Sequence, residues 1–164
     1  MNDLRNRAAT IMANIFETMF FIFIEPQEDV GPNEGEDRKL SETGPGNPSA
    51  QYLRSSIQVE GEVSGHIKLY LPYDLARSMA QNFLGLDEEV PQSQALDMVG
   101  ELLNMISGNL LSSGSKKIVY KLSMPSNEAV DSQDLEKDFS QQGMNLDFDV
   151  EGQKIRLQIQ LHRK

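Results

Sequence analysis

Two stretches of strict apolar alternation constrain the fold more than anything else in this chain. In the first, Leu53, Ser55, Ile57 and Val59 lead through Glu60-Gly61-Glu62 to Val63, Gly65, Ile67, Leu69 and Leu71. In the second, Leu146, Phe148 and Val150 lead through Glu151-Gly152 to Ile155, Leu157, Ile159 and Leu161. A period of two sends alternate side chains to opposite faces of a strand, and a glycine-bearing turn between two such runs folds them into a hairpin. One apolar and one polar face is the pattern of an antiparallel sheet covered on one side.

Helical spacing fills the rest of the apolar pattern. Leu4, Ala8, Ile11, Met12, Ile15, Phe16, Met19, Phe20 and Phe23 predict a long core-facing helix over 4–23. A second helix, capped by Asp74 and ended by Gly85, carries Leu75, Ala76, Met79, Ala80, Phe83 and Leu84 on its apolar side. A third runs from about Ser93, just after Pro91, to Ser113, and Ile118, Tyr120 and Leu122 alternate as one more strand. Two segments show no period. Residues 25–51, with four prolines, four glycines and seven carboxylates, read as a mobile acidic loop, and residues 125–142 read as a second polar loop. The order of elements suggests two related halves, each a long helix followed by a hairpin. The expected class is therefore α+β, a single domain over 1–164 with an antiparallel sheet and long helices packed on one face.

Composition removes several kinds of chemistry. The chain has no cysteine, which excludes disulfides, thiolate nucleophiles and cysteine-ligated metal, and favours the cytoplasm. Its two histidines, His66 and His162, fall on separate predicted strands without metal-ligand spacing, so no metal site or cofactor of its own is expected. A formal charge of −10 repels phosphate backbones and anionic membranes, so neither nucleic acid nor membrane is an expected partner. The apolar run Met19 to Ile24 is too short to span a bilayer, and MNDLRNRAAT lacks a signal-peptide core.

The third helix carries the polar residues of interest. Leu96, Val99, Leu102, Leu103, Ile106 and Leu110 cover one face, while Asp97, Glu101, Asn104 and Gly108 recur at steps of four, three and four. Residues three apart on a helix are separated by a rise of about 4.5 Å, so Glu101 and Asn104 can act on one point. Any amphipathic helix shows polar residues outward, and spacing alone permits no more than that. Asparagine within a helix, and glycine at positions 100 and 108 where alanine would be more stable, add a hint of close approach. The cluster Phe16, Phe20, Phe21 and Phe23 reads as core or dimer packing.

GELLNMISGN, preceded by Asp97, resembles the D-x-x-x-E-x-x-N helix motif of the CheX/CheC family of chemotaxis phosphatases. VEGEVSGHIKLYLP, the helix DLARSMAQNFLG and the paired halves extend the likeness over most of residues 4–161, apart from the two acidic loops. The resemblance implies dephosphorylation of the aspartyl phosphate of a CheY-like receiver domain. Asn104 would orient the attacking water, and Glu101 would pair with the receiver's active-site lysine. Magnesium would sit on the receiver. Asp97 would be a second contact or, the preferred reading, a support for the helix through its dipole. Asn109 is read as structural. Glu17 is followed three residues later by Phe20, so the first helix is expected to carry no second site. A homodimer through edge strands is expected, the carboxy-terminal hairpin permitting it. The alternative is a binding or scaffold module without catalysis, as in flagellar-switch proteins of similar fold.

Overall fold

A computed structural model describes residues 2–27, 51–114, 116–140 and 142–163. The first alternating stretch forms β2 (Gln51–Gly61) and β3 (Val63–Pro72), and the second forms β6 (Met144–Val150) and β7 (Gln153–Arg163). Glu151 and Gly152 both take positive φ, 51° and 85°, the two-residue geometry whose twist matches that of the flanking strands. β3 and β7 pair with each other, so the two hairpins join at the centre of a seven-stranded sheet of order β1-β6-β7-β3-β2-β4. β1 is the short segment Glu25–Pro26. The outer edge of β2 is shared by β4 (Tyr120–Leu122) and β5 (Ser126–Asp131).

Register turns the alternation into two different faces. Leu146, Leu157, Leu69, Ser55 and Asn127 stand opposite one another across β6, β7, β3, β2 and β5. Against this face lie α1 (Asn2–Phe20), α2 (Tyr73–Leu84) and α3 (Gln92–Ser112), closing the main core around Met12, Phe16, Leu69, Leu103, Ile106 and Phe148. One register step away, Asp147, Arg156, Tyr70, Arg54 and Glu128 form the row on the opposite face.

That opposite face is where the sequence reading needs correction. Residues 125–142 are not a loop: they hold β5 and a short helix α4 (Ser132–Phe139), packed on the reverse of the sheet against Tyr70, Tyr52 and Val130. α4 begins with a reciprocal cap, in which Asp131 accepts from the Asp134 N–H at 2.8 Å and the Asp131 N–H reaches back to Asp134. Asp138 and Leu135 are its buried residues, and Asp138 meets Arg54 at 2.6 Å, Lys68 at 3.6 Å and the Tyr70 hydroxyl, which donates to it. A segment held by a buried ion cluster shows no apolar period, which is why it read as a loop.

Smaller differences follow local geometry. α1 stops at Phe20 rather than 23, because Phe21 turns to φ 56°; of the aromatic set read as core or dimer packing, Phe16 is fully buried in the core while Phe21 and Phe23 are 84% and 76% exposed. Asp74 does not cap α2; Pro72 holds that position and Asp74 lies within the first turn, while Gly85 closes the helix in a left-handed conformation as expected. Of the expected loop at 25–51, Glu25 and Pro26 pair with β6 and Gln51 begins β2; residues 28–50 lie outside the described residues.

Candidate functional site

α3 is placed by what it buries. Val99, Leu102, Leu103, Ile106 and Leu110 are all at most 2% exposed and face the sheet and the flanking helices, which fixes the rotation of the helix. Asp97, Glu101 and Asn104 are thereby turned outward and exposed on one stripe. Among the described residues, no hydrogen bond or ion pair engages the side chain of Glu101 or Asn104. Asn109 differs: its amide donates to the Met105 carbonyl at 2.7 Å, the back-bond of an asparagine serving its own helix.

The two helix glycines have different reasons. At Gly108 an added Cβ would meet nothing within 4 Å, so the surface beyond Asn104 is open. At Gly100 a Cβ would lie 2.6 Å from Nδ2 of Asn127, whose Oδ1 accepts from the Ser55 hydroxyl at 2.6 Å. The close approach at position 100 is internal, between α3 and β5, not to an incoming partner.

Asp97 lies beyond the first turn of α3, which carries no acidic residue, and the field of a helix terminus fades within that turn. Its expected support through the dipole is weak. Instead it lines, with Glu101, a groove of 460 Å³ bounded by the ends of α1 and α2. The spacing of α3 alone gave no sign of this groove, since its other walls come from two separate helices. His66 and His162 stand on neighbouring strands in diagonal register, both exposed, and no group of three or more metal-ligating side chains exists among the described residues. None of the described helices is long and apolar enough to cross a membrane.

A family model described as chemotaxis phosphatase CheX matches residues 54–149, from within β2 to the penultimate residue of β6 and including all of α3. The chain belongs to the CheX family. No curated protein sequence matches it. Among solved structures, the chemotaxis protein CheX from Vibrio vulnificus superposes with a TM-score of 0.68 at 16% identity, over 98% of this chain and 97% of that one. The CheX-CheY-BeF3-Mg2+ complex from Borrelia burgdorferi gives 0.62 at 15% identity, over 98% and 97%. FliY from Thermotoga maritima gives 0.58 at 18%, over 96% of this chain and 86% of that one. At such identities the likeness is one of fold, and this CheX-family chain shares the α+β architecture with all three.

Proposed function

We propose that this CheX-family chain dephosphorylates the aspartyl phosphate of a CheY-like receiver domain, with Asn104 orienting the attacking water and Glu101 holding the receiver. The observation that carries the reading is the outward pair itself: a carboxylate and an amide one turn apart on a rigid helix, neither engaged by another side chain or backbone group among the described residues. The family description as a phosphatase, and the presence of a CheX-CheY complex among similar structures, support the substrate class.

In the reaction, the water oxygen bonds to phosphorus as the bond to the aspartyl oxygen breaks. The products are a free carboxylate and inorganic phosphate, which takes up the water's proton. An acyl phosphate already has a good leaving group, so positioning is the main need. The Asn104 amide can accept from the water and donate to a phosphoryl oxygen, fixing the water in line. Glu101 would form a charge-assisted pair with a receiver lysine. Magnesium would arrive with the receiver, and the chain would act in the cytoplasm where receivers work.

A homodimer through edge strands is part of the same proposal. β7 is interior to the sheet, so such a contact would use the outer edge of β6 beyond its short pairing with β1, or the β4 and β5 edge.

Phosphate release from each phosphorylated receiver of the same genome, with and without the chain, tests the reading. At least one receiver is expected to lose its phosphoryl group faster. Glu101→Ala is expected to raise KM about tenfold through the lost charge-assisted contact. If every receiver keeps its intrinsic lifetime, the scaffold reading replaces the catalytic one.

A further inference from the structure

The groove beside Glu101 is apolar where the stripe is polar. Met19 and Phe20 at the end of α1, Phe83 and Leu84 at the end of α2, and Met98 and Met105 on α3 form its walls. The Phe20 and Phe83 rings meet at a 48° tilt with 5.7 Å between ring centres. Phe83 and Leu84 remain 52% and 49% exposed, so the molecule leaves a concave apolar surface open to water next to the proposed catalytic pair.

The groove and the catalytic stripe are continuous. Glu101 is a wall of the groove and also half of the outward pair, and Met98 and Met105 stand three residues before and four after it. Any surface that brings a cation to Glu101 and a phosphoryl group to Asn104 therefore lies over the mouth. The charge of the surroundings selects the occupant. Asp97 and Glu101 edge the groove, and no lysine or arginine is among the residues that line it. Arg77 of α2 is already paired with Glu89 at 2.7 Å. An apolar group flanked by cations is favoured there.

We propose that this groove receives an apolar side chain of the receiver domain, presented beside the cation that Glu101 engages, and that it supplies affinity and partner choice while Asn104 supplies chemistry. The inference rests on the receiver reading above. Methionine walls suit the task, because an unbranched thioether repacks around apolar groups of different shape at small cost.

The experiment uses the full chain with methyl-labelled methionine, titrated with a CheY-type receiver carrying beryllium trifluoride and magnesium. Resonances of Met19 and Met98 are expected to shift together with Met105, while Met124, on the connection between β4 and β5, stays in place. Shifts confined to Met105, beside Asn104, would overturn the proposal. So would shifts of Met19 and Met98 on raising the concentration of the chain alone, since the occupant would then be a second copy. In turnover, Leu84→Lys and Phe83→Ala are expected to raise KM about tenfold, with kcat at saturating receiver unchanged. Both variants retaining wild-type KM and wild-type receiver affinity would also overturn it. The groove and the catalytic reading fail separately. Receiver-induced shifts at Met19 and Met98 without accelerated dephosphorylation keep the groove and sink the chemistry; accelerated dephosphorylation without those shifts does the reverse.

Discussion

Two asparagines on one helix illustrate how side-chain engagement separates candidates that spacing alone cannot. Asn109 spends its amide on the Met105 carbonyl, and Asn104, five residues earlier, has no hydrogen-bond partner among the described residues. Gly100 makes the complementary point. Its lack of a side chain accommodates Asn127, so substitution there couples α3 to β5. In an Asn127→Ala background, Gly100→Ala is expected to stabilise the fold by about 1 kcal/mol, the helix-interior preference of alanine over glycine. In the parent chain that gain is expected to vanish, because the new methyl displaces Asn127 from Ser55. Denaturant unfolding of the four proteins gives the coupling, and additive effects would show that Gly100 and Asn127 do not constrain each other. The outward positions of Glu101 and Asn104 and the open surface at Gly108 were legible from the sequence because a single helical period governs all three. The reason for Gly100 was not, since its partner lies on a distant segment with no period of its own.

At the level of elements, the alternating hairpins and three long helices could be read because each buries a regular apolar face. α4 could not. It buries only Leu135 and Asp138, and the carboxylate is held by Tyr70, Arg54 and Lys68 rather than by apolar contact. The sequence does contain one local signal, the pair of aspartates at 131 and 134 that cap each other just before Leu135. Burial by itself would raise the Asp138 carboxyl, but hydrogen bonds from Tyr70 and Arg54 and the charges of Lys68 and Arg54 outweigh it and hold the group below its ordinary value of 3.8. Burial, followed by the bond to Asp138, pushes the Tyr70 phenol upward. A depressed carboxylate stabilises the fold fully above its unfolded value and loses that contribution as pH falls through the folded one. Asp138→Asn is therefore expected to cost about 3 kcal/mol near neutrality, the low end for breaking a buried pair because Glu128 still engages Arg54. The cost is expected to shrink as pH drops below about 4. Denaturation curves across pH check this, and a cost that grows on acidification would mean that Asp138 is not the charged partner.

Across the whole molecule the sheet separates two tasks. One face carries α1, α2 and α3 and presents the polar stripe with its apolar groove; the other carries α4 on a network of charges. The two faces meet at β2 and β5, where Ser55 and Asn127 look toward α3 while Arg54 and Glu128 pair on the reverse. This division predicts that Asp138 substitutions change stability without changing KM or kcat at a temperature where the chain remains folded, whereas stripe substitutions change kinetics without changing stability. Unfolding and turnover measured on the same samples would reveal any leakage between the two sets. The central claim concerns one amide, and single-turnover dephosphorylation by Asn104→Ala tests it most directly. With the variant bound to a beryllium trifluoride receiver as tightly as the parent, the dephosphorylation rate at saturation is expected to fall about a hundredfold, the cost of a misplaced nucleophile. An unchanged rate with the same affinity would contradict the assignment of water positioning to Asn104.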